Sequence, residues 1–362
     1  MDSYLNVVEI ESAIANLASG YPGLCTLRTL PDASAGGRIS HALHVSSANA
    51  AMHPALVLSA GVHGCEWGGA EILIAFVADL LAAYTTASSL QYGSKNIPAP
   101  AIKALLDGLD VVIFPVVNPD GLAYSLSHDA KSVAGWRKNR NSKSSKGQPA
   151  RIGVDVNRNF DFLWDYKTTM GRGEPPASVN PRDPDFHGAS PFSEPESRNV
   201  RWLLDAMPNA QWFIDLHACS PAILYSWGDD QNQSADATMN YRNAAWDGRR
   251  GEPDDEYAEY IPPQDAAVAK YLAKAMKDAL FEVRGTLYRP AQSFAYYAVS
   301  GASDDYVYAR QWETPPKPKV LAFVIEFGSN FHPVWTEMEF AIDDVCAALF
   351  GFCGAVLGPP PP

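Results

Sequence analysis

Two histidines and a glutamate stand where they could share a metal ion. His63 and Glu66 are three residues apart, directly after the apolar run ALVLSAGV (55–62) and at the start of a helical pattern. A His nitrogen and a Glu oxygen at this spacing can both reach a zinc ion at about 2.0–2.2 Å, with a third ligand supplied from far along the chain. His217 ends a second apolar run, WFIDLH (212–217), so it is also expected at the carboxyl end of a strand, where parallel α/β sheets bind ligands.

Each of these signals has an ordinary alternative. An HxxE pair arises by chance at strand ends, and a lone histidine after an apolar strand is usually a core or rim residue. The three residues together nevertheless predict a metal site. Asp215, two residues before His217, is expected on the same face of the strand, so it is a candidate to hydrogen-bond that histidine.

A second set of residues is suited to binding an anion. The segment GVDVNRNF places Arg158 between Asn157 and Asn159, with apolar residues on either side. A buried guanidinium needs an anionic partner, and its planar fork fits a carboxylate with two hydrogen bonds. A substrate carboxylate would supply that partner. Arg137, in WRKNR, belongs to a basic stretch that a solvated surface loop would also explain.

Glu326 is a carboxylate inside the apolar run VLAFVIEFG (320–328). Glutamate is rarely buried unless it is paired, and desolvation raises the pKa of a buried carboxyl group. A raised pKa suits a general acid or base beside a metal ion. A structural ion pair would account for the same residue, so this position alone leaves both interpretations open.

These residues must be positioned by strands that are buried on both faces, because the apolar runs are continuous rather than alternating. The predicted strands are 55–62, 110–118, 212–217, 222–227 and 320–328. Helical patterns lie at 66–83 and 265–281, and Ser193 with Glu196 predicts a capping box that opens a third helix toward Met207. Strands that alternate with helices indicate an α/β fold with a mixed, mostly parallel sheet flanked by helices.

Composition restricts the function classes. The 362 residues carry 28 Lys and Arg against 41 Asp and Glu, a net charge of −13, which argues against nucleic acid or an anionic membrane surface as a partner. The five cysteines are scattered without a CxxC pair, which predicts free thiols. The apolar stretch 345–357 is too short to span a bilayer and is expected to end a buried helix.

A single domain is expected over residues 1–357. Two segments without steady periodicity, near 165–190 and 229–263, are predicted to be surface insertions, and the proline-rich residues 358–362 are predicted to be a disordered tail. The N-terminus lacks the basic and apolar regions of a signal peptide, so we expect a cytoplasmic protein, or a secreted one if a presequence has been removed. A monomer is expected.

Eight motifs, taken in order between Ser59 and Gly328, resemble those of the zinc metallocarboxypeptidases typified by pancreatic carboxypeptidases A and B. They are HxxE, NPDG, WRKNR, GVDxNRNF, PFSEPE, FIDLH, SGASDDY and FVIEFG. The resemblance implies one catalytic zinc ion per chain and hydrolysis of the C-terminal bond of a peptide or protein.

The resemblance also implies roles for individual residues. By this likeness His63, Glu66 and His217 are the zinc ligands, Arg137 polarises the scissile carbonyl, Asn157 and Arg158 hold the C-terminal carboxylate, the mobile Tyr297 closes over the substrate, and Glu326 is the general base. Asp304 matches the base of the side-chain pocket, where an acid selects C-terminal Lys or Arg, unless it turns outward. Cys65 departs from the arginine of digestive members, and a packed thiol is expected there.

Other functions are compatible with the same fold. One alternative is a zinc amidohydrolase that acts on cell-wall or modified peptides, although the intact Asn157, Arg158 and Tyr297 disfavour it. Another is a carboxypeptidase that prefers apolar C-termini. A non-catalytic peptide-binding member would lack a metal ligand or the base. Here all three metal-ligand candidates are present, and so is the candidate base.

Overall fold

The computed structural model describes residues 3–47, 53–127 and 131–359. Its centre is an eight-stranded sheet with the strand order β1-β2-β6-β3-β7-β12-β8-β11. The strands are β1 (Cys25–Thr29), β2 (His41–Val45), β3 (Ala55–Ala60), β4 (Leu90–Tyr92), β5 (Lys95–Ile97), β6 (Asp110–Phe114), β7 (Ala210–His217), β8 (Ala222–Tyr225), β9 (Asn232–Gln233), β10 (Glu259–Tyr260), β11 (Arg289–Gln292) and β12 (Leu321–Glu326). Residues 360–362 of the predicted tail lie outside the described residues.

The sheet is mixed and mostly parallel, as predicted. Strand β3 pairs in parallel with β6 and β7, β7 with β12, and β8 with β11. Antiparallel pairs join β1 to β2, β2 to β6 and β8 to β12. The five strands predicted from apolar runs are all present, with bounds shifted by a few residues. Strands β1, β2 and β11 of this sheet were missed, because they carry no continuous apolar run.

Helices cover both faces of the sheet. They are α1 (Val7–Gly20), α2 (Gly69–Thr86), α3 (Ala99–Gly108), α4 (Pro119–Leu126), α5 (Lys131–Ala134), α6 (Tyr166–Thr169), α7 (Pro195–Asp205), α8 (Pro263–Arg284), α9 (Ser303–Ala309) and α10 (Trp335–Leu357). In β3, Leu56 and Leu58 join the core cluster that contains α2 and α10, whereas Ala55 and Val57 join the cluster on the opposite face. This two-sided burial explains the continuous apolar run.

Helices α2 and α10 are long and apolar enough to cross a membrane by length and composition alone. More than half of each is buried inside the protein, where α10 packs against α8 and α2. Core helices of this kind pass the same test, so the finding is weak support for a membrane segment. The stretch 345–357 forms the end of α10, as expected from its sequence.

The capping box predicted for α7 is wrong. The helix is capped one residue later, at Glu194, and no side chain bonds the first turn as a cap. Instead, the Ser193 hydroxyl donates to Glu194 Oε1 at 2.8 Å, and Glu196 accepts a hydrogen bond from Asn139 at 3.0 Å. The side-chain amide of Asn139 thus binds the Glu196 carboxyl group in the interior. The local sequence pattern does not reveal this long-range contact.

The two segments near 165–190 and 229–263 contact each other. Arg250 is fully buried and donates to the backbone oxygens of Thr169 and Asn243 at 3.0 and 2.9 Å. The second segment also buries Asp230 and Glu259, although it contains little regular structure. Whether these segments are insertions relative to other proteins stays a prediction.

We expect Glu196 to make stability pH-dependent. Burial raises the pKa of Glu196 to about 8, above its ordinary value of 4.5, so the folded protein holds this proton more tightly than the unfolded chain. Stability should therefore fall as pH rises from about 4.5 to 8. Glu196→Gln mimics the protonated acid, and it should match the parent protein near pH 4.5 and exceed it at pH 8.5 by on the order of a few kcal/mol.

Urea denaturation at both pH values measures this effect. Glu174→Gln, at an exposed position, is the matched control and should show no pH-dependent difference from the parent. A stability difference for Glu196→Gln that is the same at both pH values would contradict the assignment of a buried, protonated Glu196.

Candidate metal and substrate site

The sheet brings three neighbouring strand ends to one edge. Strands β3, β7 and β12 are adjacent and parallel, so their carboxyl ends point the same way. His63 and Glu66 follow β3, His217 ends β7, and Glu326 ends β12 directly beside His217 in the register. These four residues, separated by up to 263 positions in sequence, meet because of the topology.

The NPDG turn fixes the loop that carries His63. Asn118 accepts a hydrogen bond from Gly121 N at 2.8 Å, which caps α4, and donates to Val62 O at 3.2 Å. Gly64 packs so closely on this turn that an added Cβ would lie 2.4 Å from the carbonyl carbon of Gly121. Glycine is therefore required in the HxxE motif for a steric reason.

Three ligand atoms converge at this edge. His63 Nδ1 and His217 Nδ1 are 3.2 Å apart, and they lie 2.6 and 3.0 Å from the two carboxylate oxygens of Glu66. All three residues are buried. Tetrahedral zinc with ligands at about 2.0–2.1 Å holds ligand atoms about 3.3 Å apart, so this donor set fits zinc in both chemistry and spacing.

The outer ring nitrogens face carboxylates. His217 Nε2 lies 3.2 Å from Asp215 Oδ2, the contact predicted from their spacing, and His63 Nε2 lies 3.3 Å from Asp155 Oδ1. Such contacts orient metal-binding histidines and fix which nitrogen is free to coordinate. The carboxylates thus turn both Nδ1 atoms toward Glu66.

Charge at the site favours a cation. Burial disfavours a charged His217, but the Asp215 and Glu66 carboxylates outweigh burial and raise the pKa of His217 well above its usual value. Burial likewise opposes ionisation of Glu66, whereas His63 and His217 lower the pKa of that carboxyl. The same negative field that retains a proton on the imidazole would attract a divalent ion.

Asp155 is a site residue that the sequence analysis did not single out. It is fully buried, and besides facing His63 it accepts a hydrogen bond from Arg137 Nε at 2.8 Å. Arg137 Nη1 lies 3.8 Å from Glu66 Oε1. Arg137 is therefore held beside the metal-ligand triad rather than in a solvated loop. The segment GVDVNRNF offered a signal, because an acid between two apolar residues needs a buried partner.

A cavity of about 240 Å³ contains all of the predicted site residues. It is lined by His63, Glu66, Arg137, Asn157, Arg158, His217, Tyr297, Asp304 and Glu326, together with smaller neighbours. A larger cavity of about 570 Å³ lies against Trp227 and Trp312 and contains none of these residues. The chemistry therefore belongs to the smaller cavity.

Arg158 is buried without a carboxylate partner. Its Nε donates to Pro176 O at 2.9 Å and its Nη1 to Asn157 O at 2.8 Å. No acidic side chain in the described ranges forms an ion pair with it within 4.0 Å. Tyr297, which is 58% exposed, places its ring 6.0 Å from the guanidinium carbon. An anion that enters the cavity would meet Arg158 under this exposed ring.

Glu326 and Asp304 are the other carboxyl groups of the cavity. Burial raises the pKa of Glu326 to about 7. Asp304 is only 3% exposed and accepts a hydrogen bond from Ser293 Oγ at 3.1 Å, so it lines the cavity and does not turn outward to solvent. Burial also raises the pKa of Asp304.

Cys65 is a packed thiol. It is 3% exposed, and burial raises the pKa of its thiol to about 12, so little thiolate forms near neutral pH. All five cysteines are free, as predicted from their scatter.

Comparison with protein families gives a match over residues 10–338 to Peptidase_M14, described as zinc carboxypeptidase. The chain belongs to the zinc carboxypeptidase family. The match spans the whole sheet and the whole cavity, and the family's metal agrees with the donor set of His63, Glu66 and His217.

Curated relatives in this zinc carboxypeptidase family carry several names. The chain is 31% identical to carboxypeptidase A2 of Rattus norvegicus over 227 residues, which are 63% of this chain and 47% of the relative. It is 28% identical to carboxypeptidase B of Astacus astacus over 306 residues, covering 84% of this chain and 81% of the relative. The chain spans about half the length of the carboxypeptidase A2 relatives that it matches.

Two further matches bear on fold and on activity. The crystal structure of thrombin activatable fibrinolysis inhibitor superimposes with a TM-score of 0.74 at 21% identity, over 98% of this chain and 75% of that one, which supports the fold. An inactive metallocarboxypeptidase ECM14 of Arthroderma otae is 32% identical over 178 residues, or 48% of this chain and 26% of the relative. Membership of the zinc carboxypeptidase family therefore does not by itself establish catalysis.

The donor set predicts one zinc ion per chain. His63→Ala or His217→Ala should lose bound zinc, because each removes one of three converging ligand atoms. Metal analysis of the purified protein measures this. His41→Ala is the matched control, since His41 pairs with Glu11 away from the site, and it should keep its zinc. Full zinc occupancy in both ligand variants would show that the metal binds elsewhere.

Proposed function

We propose that this protein is a zinc-dependent carboxypeptidase that removes the C-terminal residue of a peptide or protein. One observation carries the proposal. The buried Arg158, which forms no ion pair with an acidic side chain of the described residues, lines the same cavity as the three converging ligand atoms of His63, Glu66 and His217. An arginine in that position is suited to the free carboxylate at the end of a chain.

The residues proposed to hold zinc are His63, Glu66 and His217. When bound by three protein ligands, zinc supplies Lewis-acid polarisation and lowers the pKa of water in its open position toward about 7. Asp155 and Asp215 would keep the two imidazoles in the tautomer that presents Nδ1. The ligand assignment rests on this chemistry and spacing.

The remaining roles follow from position in the cavity. Asn157 and Arg158 would bind the substrate's terminal carboxylate, which sets the register so that only the last peptide bond reaches the metal site. Glu326 would accept the proton of the attacking water on its carboxylate and deliver it to the leaving amine, a task suited to a pKa near 7. Arg137 would stabilise the negative charge that develops on the scissile carbonyl oxygen, and Tyr297 would cover the bound residue.

Asp304 supports a preference for C-terminal Lys or Arg. The buried Asp304 carboxylate in the cavity lining would pair with a cationic side chain through a charge-assisted hydrogen bond. The carboxypeptidase that prefers apolar residues is the main alternative, because Leu224 and Val324 line the same cavity. The amidohydrolase alternative is disfavoured by the intact pair Asn157 and Arg158.

The binding partner and the oligomeric state stay as predicted from the sequence. We expect the partner to be the C-terminus of a peptide or protein, not nucleic acid or a membrane, and we expect a monomer. The cytoplasmic location gains no support from the relatives that the chain matches, and the secreted alternative is consistent with them.

Glu326→Gln tests the proposed base. The substitution keeps the shape of the side chain but removes its ability to accept a proton, so kcat should fall by about 10²–10⁴-fold while zinc content stays unchanged. Glu337→Gln, exposed in the first turn of α10, is the control and should keep full activity. A Glu326→Gln protein with nearly normal kcat would remove Glu326 from the mechanism.

Asp304→Asn tests the proposed specificity. It removes the negative charge while keeping the size, so kcat/KM for peptides that end in Lys or Arg should fall by at least tenfold relative to peptides that end in Leu. Parallel assays of the two peptide sets measure the change. An unchanged ratio would show that Asp304 does not select the side chain.

A further inference from the structure

Ser293 is the side chain of the cavity lining that hydrogen-bonds Asp304. Leu224, Val299 and Val324 contribute apolar surface, and Ser293 lies among them, 8% exposed. A substrate side chain that enters this region would therefore find Asp304 and Ser293 as its polar partners. The chemistry of this pair decides which cation fits.

The Ser293 hydroxyl uses part of the hydrogen-bonding capacity of the Asp304 carboxylate. Its hydroxyl donates to Asp304 Oδ2 at 3.1 Å, and the backbone N–H of Asp305 adds a further hydrogen bond to the same carboxyl group. These two donors reduce the accepting capacity that remains for a ligand. The lone pairs of the Ser293 hydroxyl oxygen remain available beside Oδ2 to accept a hydrogen bond from a ligand.

The position of Ser293 is fixed by its surroundings. It follows β11 at the start of a 3₁₀ turn, and the preceding Gln292 donates to Trp227 O at 2.8 Å. A Cβ added at Gly228 would lie 3.3 Å from Ser293 Cβ and 2.5 Å from the Val299 side chain. The absence of a side chain at Gly228 thus leaves room for Ser293 and Val299 beside the Gly228 backbone.

Lysine and arginine differ in what they need from such a site. An ammonium is a compact charge that can donate one hydrogen bond to the Asp304 carboxylate and a second to the Ser293 oxygen. A guanidinium forms its strongest contact when two parallel donors meet both oxygens of one carboxylate. Here one of those oxygens already accepts from Ser293, which favours the ammonium.

We propose that Ser293 is a specificity-determining residue that makes this pocket favour C-terminal lysine over arginine. The inference rests on the proposed carboxypeptidase function and on Asp304 as the acid of the pocket. Ser293 acts on the choice between two cations, not on the cleavage step, so its removal should alter relative kcat/KM values rather than kcat for every substrate.

The test compares zinc-loaded protein on three peptides that differ only in a terminal Lys, Arg or Leu. The parent protein should favour Lys over Arg in kcat/KM. Ser293→Ala frees Asp304 Oδ2, so the Lys-to-Arg ratio should fall by about tenfold, the size expected for one hydrogen bond to a charged group. Ser293→Thr, which keeps the hydroxyl, should retain the parent ratio.

Two controls separate specificity from damage to the fold. Ser300→Ala removes a nearby buried hydroxyl that donates to Leu163 O, not to Asp304, and it should leave the ratio unchanged. Cleavage of the Leu peptide by Ser293→Ala should stay within about threefold of the parent rate.

Other outcomes overturn the inference in distinguishable ways. If the parent cleaves Lys and Arg peptides and Ser293→Ala leaves their ratio unchanged within twofold, the role of Ser293 is wrong and the proposed function stands. If the parent releases Leu but neither Lys nor Arg, the basic preference fails and the role of Ser293 fails with it.

Discussion

The close approach of three ligating groups in the interior is the constraint on which the rest of the site depends. Two imidazole nitrogens 3.2 Å apart, with one carboxylate against both, form a buried donor set that suits a shared cation. Only the parallel strands β3 and β7 can bring His63 and His217 together, since their carboxyl ends lie side by side. The outer carboxylates of Asp155 and Asp215 then hold the rings in place, and Asp155 extends this support to Arg137.

The sequence was sufficient to predict the sheet centre and nine of the residues that line the cavity. Strands buried on both faces leave a continuous apolar run, so β3, β7 and β12 were recognisable without any contact information. Polar residues at the ends of such runs stand out, which is why His217 and Glu326 could be singled out. The order of the motifs along the chain, through the resemblance that it shows, then assigned Arg158 and Tyr297 to the same site. No local pattern connects these two residues to a metal site.

Contacts between distant segments could not be predicted. The predicted capping box of α7 was wrong, because Asn139 binds the carboxylates of Glu194 and Glu196 at the start of that helix. Asn139 is 55 residues away from Glu194 in the sequence. Asp155 was missed as a partner of both His63 and Arg137, since one acid in a motif gives no sign that it serves two groups. The hydrogen bond from Ser293 to Asp304 joins the 3₁₀ turn after β11 to helix α9, which are distinct segments of the chain. Strand β1 lacks the apolar pattern that would predict a strand.

The central claim is that a free terminal carboxylate, bound beside a zinc ion, selects the bond that is cut. The most direct test compares two forms of one peptide that ends in lysine, one with a free C-terminal carboxylate and one with a C-terminal amide, with and without a zinc chelator. The account predicts release of lysine from the free acid only, and none after chelation. Equal cleavage of the amide, or release that persists in the chelator, would contradict it.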